Sequence, residues 1–259
     1  PEKPTPAPKE GSGSALASLA SDPRVSLGDG QMRRKAVLNV PPHIIRKIAE
    51  TLGHSDLFQD NDPLTLEISL EQVPLDEKSL KACKNPVLSR YIMIGNLLVN
   101  NRHLAEGVEL FAKIIKQEPD SAVALVGRGT GYALMNDLGS AIKDFTSAIS
   151  ADPTYSDAYL RRAQARVAMN DVAGGISDNS AAILLMQKNP TDNHDSLMMA
   201  LMTRGQLYNK DRDYENASKD LGIVVREQPE NAEAWSSLAY SKTAQGDISD
   251  GITCYLRVI

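Results

Sequence analysis

Large apolar side chains are nearly absent from the first 22 residues, PEKPTPAPKEGSGSALASLASD. Such a segment buries too little surface to offset chain entropy, which predicts a disordered tail or linker over 1–22. Ile44, Ile45, Ile48 and Leu52 then form one stripe behind Pro41-Pro42 and before Gly53, the pattern of a short helix. The run Leu64-Thr65-Leu66-Glu67-Ile68-Ser69-Leu70 alternates like a strand or an extended arm. A second short helix is predicted from Asp76 to Lys84, ended by Asn85-Pro86. These elements are too few for a core of their own. Residues 23–87 are therefore expected to form an extension with short helices that packs on the C-terminal two-thirds of the chain.

From about Leu88 the chain repeats itself. Small residues stand at Gly95, Gly129, Ala163, Gly205 and Ala239, spaced 34, 34, 42 and 34 apart. Twelve residues after them come Gly107, Ala141, Gly175, Ala217 and Gly251, and sixteen after come Phe111, Phe145, Asn179, Leu221 and Tyr255. Four residues before them stand Tyr91, Leu125, Tyr159, Leu201 and Trp235. Pro119, Pro153 and Pro229 close three units at one offset. This pattern predicts two antiparallel helices per unit, crossing closely at the small residues, with large side chains filling the gaps and proline ending the second helix.

The residues resemble the tetratricopeptide repeat family, whose pattern is W-x2-L-G-x2-Y, then A-x3-F, then P. The second unit matches best, with Leu125, Gly129, Tyr132, Ala141, Phe145, Ala148 and Pro153. The resemblance covers about two-thirds of the chain, with units near 88–121, 122–155, 156–197, 198–231 and 232–259. It implies an all-α fold, a right-handed superhelical solenoid of helix-turn-helix repeats. The last unit stops inside its second helix without a polar capping helix, so further repeats or a partner are expected after Ile259.

The third unit departs from the pattern. Asn179 stands at a large apolar position, Gly174-Gly175 falls within the second helix, and eight extra residues are placed around Gln187 to Leu197. Glycine inside a helix costs about 1 kcal/mol relative to alanine, so this unit is expected to be the softest. A hinge and a tolerated insertion are both open.

A second register accompanies the repeat. Arg128, Arg162 and Arg204 precede the small residue in the three units where Asp144, Asp178 and Asp220 precede the large one. In the other two units the same offsets hold Ile94 with Leu110 and Leu238 with Cys254. Three structural ion pairs are predicted, each joining the two helices of one unit: Arg128 with Asp144, Arg162 with Asp178, and Arg204 with Asp220.

Composition narrows the chemistry. The formal net charge of −5 and the single tight basic run, Arg33-Arg34-Lys35, argue against tracking along phosphates. Gly127-Arg128-Gly129-Thr130-Gly131 lacks the Lys-Ser/Thr of a phosphate loop and any preceding strand. His43, His54, His103 and His194 lack zinc-ligand spacing, and no G-x-S-x-G nucleophile motif occurs. No enzyme activity, cofactor or metal is expected. Cys83 and Cys254 imply no disulfide framework, which points to an intracellular compartment, cytoplasmic or nuclear. No apolar run approaches the ~20 residues of a membrane span. Because the chain begins at Pro1 rather than Met, it is expected to be a fragment or a processed form.

The resemblance implies that the first helix of each unit lines a concave face. The lining expected there is Ile92, Met93 and Asn96 in the first unit, and Val123, Val126 and Thr130 in the second. Leu160, Arg161 and Gln164 come next in the third, Met199, Met202, Thr203 and Gln206 in the fourth, and Tyr240 in the last. An apolar lining interleaved with polar groups marks an interaction surface, and methionines suit an adaptable one. The expected function is a scaffold or adaptor that binds a protein or peptide there. The chain's own N-terminal region is the other candidate occupant. Family members that hold an acidic chaperone tail use a set of Lys, Asn and Arg that this chain matches only at Asn96 and Arg161, so that partner is not expected. A nucleic-acid-binding helical repeat is the alternative reading.

Overall fold

The computed structural model describes residues 86–188 and 193–258. The tail expected over 1–22 and the short elements expected near 41–53, 64–70 and 76–84 lie outside the described residues. Among the described residues there are ten α-helices and no strand. They are α1 (Pro86–Asn100), α2 (Leu104–Gln117), α3 (Ala122–Leu134), α4 (Leu138–Ala151) and α5 (Ser156–Ala168). The series continues with α6 (Val172–Lys188), α7 (His194–Lys210), α8 (Tyr214–Glu227), α9 (Ala232–Gln245) and α10 (Ile248–Tyr255).

One turn recurs inside every helix pair. Arg102, Asn136, Asn170, Arg212 and Gly246 all have positive φ, between 65° and 94°, and recur at the repeat spacing. Each reverses the chain after a first helix. An Asp or His comes directly after it and opens the second helix. Asp137 accepts from the Ser140 amide at 3.1 Å, Asp171 from the Gly174 amide at 2.8 Å, and Asp213 from the Asn216 amide at 3.2 Å. These carboxylates satisfy donors that a helix start leaves open. The cap also holds the Asp137 carboxyl below its ordinary pKa, chiefly through the hydrogen bond with Ser140.

The described residues divide into two compact units, one ending at Gly131 and the other beginning at Tyr132, with the break inside α3. In the first, Phe111 of α2 is fully buried between two glycines. A Cβ at Gly95 on α1 would come within 2.7 Å of its ring, and one at Gly127 on α3 would collide with it outright. Gly131 meets Val108 in the same way. The glycine-rich run of α3 is therefore a packing surface that lets three helices approach closely.

In the second unit, consecutive helices from α4 to α10 pack in antiparallel pairs, and α7 also meets α9. One core runs from Ala182, Ile183 and Met186 through Leu201, Leu221 and Val224 to Leu238 and Cys254. The recurring offsets have visible causes. Tyr159 donates its hydroxyl to the Pro153 carbonyl at 3.2 Å, and the Trp235 indole donates to the Pro229 carbonyl at 2.8 Å. The aromatic four residues before the small one thus pins the loop that the proline makes.

The extra residues between the third and fourth repeats lengthen the second helix of one and the first helix of the other. α6 has 17 residues where α2, α4 and α8 have 14. α7 has 17 where α3 and α5 have 13. Asn179 is 2% exposed at the place that Phe111 and Leu221 fill elsewhere, and its amide donates to the Gly175 carbonyl at 2.9 Å.

Candidate functional site

The first helices of the second unit carry the surface of interest. On α5, Leu160 is partly buried, while Arg161 and Gln164 are exposed. Arg161 pairs with Asp157 one turn back at 3.3 Å. On α7, Met199 is 61% exposed. Met202, Thr203 and Gln206 are partly buried, and Met202 rests on the core. On α9, Tyr240 is half-exposed, and the Tyr214 ring stands edge-on to it at 6.0 Å and 75°. The Tyr214 hydroxyl is raised above its ordinary pKa by the hydrogen bond it shares with Tyr240.

Polar bonds lace these first helices together. Gln206 donates to Glu233 at 2.9 Å. Asn209 donates to the Ser237 carbonyl at 3.1 Å and accepts from the Ser241 hydroxyl at 2.8 Å. The Asn231 amide reaches the Met202 sulfur at 3.8 Å. Lys210 donates to Asn170, in the turn after α5, at 3.1 Å. Between α7 and α9 lies a cleft of about 340 Å³, lined by Gln206, Asn209, Ser236, Ser237 and Tyr240, with Tyr255 of α10. Gln206 and Tyr240 belong to the lining expected from the sequence. Asn209, Ser236 and Tyr255 do not, because Tyr255 holds the offset of a core residue and the other two fall beside the offsets chosen.

In the first unit, Asn96 is exposed, and Met93, Val123 and Thr130 are partly buried. Thr130 turns its hydroxyl back to the Val126 carbonyl at 2.8 Å. Two residues must be removed from the expected lining. Ile92 is fully buried and Val126 is 5% exposed, so neither offers a surface. The cause is that α1 and α3 are apolar around most of their circumference and are buried accordingly.

The arginine–aspartate register is structural. Arg162 holds Asp178 with Nε at 2.9 Å and Nη2 at 2.7 Å, and Arg166 adds a third donor at 2.9 Å. Arg204 holds Asp220 with two donors. That carboxylate, by hydrogen bonding first, raises the Arg204 pKa above its ordinary value. Asp144 is buried and Arg128 partly so.

Among the described residues, no group of three His, Cys, Asp or Glu side chains is placed to hold a metal, and no helix is long and apolar enough to cross a membrane.

Residues 92–156 and 202–259 match the tetratricopeptide repeat family. The stretch between the matched segments holds the lengthened α6 and the start of α7. Solved structures of the same fold include a MamA protein, with 17% identity over 65% of this chain and 87% of its own, at a TM-score of 0.57. MamA from Desulfovibrio magneticus RS-1 is 15% identical over 71% of this chain and 95% of its own, at 0.56. YrrB, described as a tetratricopeptide-repeat protein with an unusual peptide-binding site, is 18% identical over 66% of this chain and 84% of its own, also at 0.56. No curated protein matches the chain by sequence. The matched segments are tetratricopeptide repeats, and the described residues form an all-α helical-repeat fold of a kind known for protein–protein interaction.

Proposed function

We propose that this protein is a non-enzymatic adaptor that binds a partner protein or peptide on the first-helix face of its second unit. The observation that carries the reading is the cleft between α7 and α9, lined in part by the half-exposed Tyr240, with the exposed Met199 on the same helix α7. Its hydrogen-bonding walls and neighbouring apolar side chains suit an extended chain. YrrB lends support as a protein of like fold with a peptide-binding site. Met93, Asn96, Val123 and Thr130 are the candidate contacts in the first unit. An intracellular protein, cytoplasmic or nuclear, fits two cysteines in no disulfide pattern.

Nucleic acid is the weaker reading. Several basic side chains of the second unit are already paired: Arg161 with Asp157, Arg162 and Arg166 with Asp178, Arg204 with Asp220, and Lys219 with Glu215. A net charge of −5 adds no attraction.

Site-specific photo-crosslinking tests the face. A benzophenone amino acid at Met199 is expected to capture a discrete protein in cells. The same group at Ile223, exposed on the second helix α8, is expected not to. Equal capture from both positions, or capture from Ile223 alone, would move the partner off this face.

A further inference from the structure

We propose that the cleft between α7 and α9 takes an arginine side chain of the partner. This rests on the reading that the first-helix face receives a partner, and it names the group that enters. Gln206, Asn209, Ser236, Ser237, Tyr240 and Tyr255 line the cleft, so its walls carry no lysine or arginine. Lys210, one turn beyond Gln206 on α7, directs its ammonium to Asn170 in the turn after α5. The Glu233 carboxylate stands at the edge of the cleft, where the Gln206 amide holds it at 2.9 Å.

The acceptors that remain are defined by the bonds already made. Because the Gln206 nitrogen donates to Glu233, the Gln206 side-chain oxygen is left to accept. The same bond uses one carboxylate oxygen of Glu233 and leaves the other for a ligand. The hydroxyls of Ser236, Ser237 and Tyr255 can accept as well. Asn209, by contrast, is spent within the protein, donating to the Ser237 carbonyl and accepting from Ser241. The Tyr240 hydroxyl is bonded to Tyr214, so Tyr240 offers chiefly its ring.

A guanidinium is the converse of this surface, with five N–H donors in a flat fork and no acceptor. Its bond to Glu233 would be charge-assisted, and its other donors would meet the Gln206 oxygen and the serine hydroxyls. Its plane also stacks on aromatic rings. Tyr240 is 50% exposed and Tyr255 is 43% exposed, and Tyr214 braces Tyr240 edge-on. A lysine ammonium is compact and strongly hydrated, so it gains less from dispersed acceptors and a ring. A ligand carboxylate would meet Glu233 as a like charge and find no base in the lining.

The test is saturation-transfer NMR on the purified chain. The probe is the tripeptide acetyl-Ala-Arg-Ala-amide, and the controls carry lysine or glutamine in place of arginine. The expected result is saturable transfer to the arginine methylenes, weaker binding of the lysine peptide and the weakest binding of the glutamine peptide. Added salt is expected to weaken the arginine peptide. Glu233→Gln and Tyr255→Ala are each expected to weaken it about threefold, the worth of one exposed ion pair or one cation–π contact. Lys210→Gln is expected to lose no binding. Circular dichroism confirms that each variant keeps its helices. Absence of saturable binding by the arginine peptide, equal binding of all three peptides, or full binding by both Glu233→Gln and Tyr255→Ala would overturn the proposal. Any of these would leave the crosslinking result at Met199 standing, so the two readings fail separately.

Discussion

Arg204 grips Asp220 through two parallel hydrogen bonds, Nε at 2.7 Å to one carboxylate oxygen and Nη2 at 2.8 Å to the other. Its third nitrogen donates to the Ser180 hydroxyl of the preceding repeat at 3.0 Å. Arg162 does the same, with Asp178 in its own repeat and Thr146 in the one before. One side chain therefore closes its own helix pair and ties that pair to its neighbour. Asp220 is 6% exposed, so it depends on this partner for its charge.

Removing one member of the pair is expected to cost more than removing both. Asp220→Ala should lose about 3 kcal/mol, because Arg204 keeps a partly buried charge without its carboxylate. Arg204→Met with Asp220→Leu should recover most of that. Urea unfolding followed by circular dichroism reads both. A double variant less stable than Asp220→Ala would contradict this.

The glycines should respond with opposite signs. Gly222 has open space where a Cβ would go, so Gly222→Ala should stabilise α8 by about 1 kcal/mol. Gly127→Ala should instead destabilise, because the new methyl meets the buried Phe111 ring. Adding Phe111→Leu to Gly127→Ala should return part of the loss. Thermal unfolding of the three variants measures it.

Much of this fold is legible in the sequence, because small residues and large ones recur at offsets that only a repeated helix crossing explains. Arg162 with Asp178 and Arg204 with Asp220 are legible too, since each arginine stands sixteen residues before its partner. What the pattern hides is depth. Ile92 and Val126 sit at offsets that face outward in a generic repeat, yet α1 and α3 are apolar nearly all round, and periodicity cannot tell which face stays open. Tyr255 is hidden for the converse reason. It holds the offset of Phe111 and Leu221, which are fully buried, and yet it is 43% exposed and lines the cleft.

Asn179 gives the third repeat its own prediction. It stands in the core with one intrahelical hydrogen bond, where a neighbouring repeat has Leu221. Asn179→Leu should raise stability by about 1 kcal/mol, since a hydrogen-bonding group is exchanged for apolar contact. Amide hydrogen exchange should show slower exchange in α6 of this variant. Faster exchange there would mean that Asn179 packs better than leucine can.

Cys254 supplies a pH dependence. Burial, and then Asp250, push its thiol above the ordinary thiol value. The folded chain thus holds this proton more tightly than the unfolded chain. Stability from this group is complete below the unfolded pKa of about 8.5 and is lost as pH rises from there through the folded value. Native alkylation of Cys254 by iodoacetamide, read on its own peptide apart from Cys83, should be slow near neutral pH and should accelerate in urea. Cys254→Ser should flatten the alkaline fall in unfolding midpoint.

The face on α7 and α9 is tested most directly by a quantitative affinity capture comparing the wild-type chain with Met199→Glu and with Tyr240→Ala. Both positions are at least half-exposed, so neither change should disturb the core, and circular dichroism should be unaltered. The expected result is that the protein crosslinked from Met199 is lost from both variants and kept by an Ile223→Glu control. Retention of that protein by both variants, or its loss from the Ile223→Glu control alone, would contradict binding on this face.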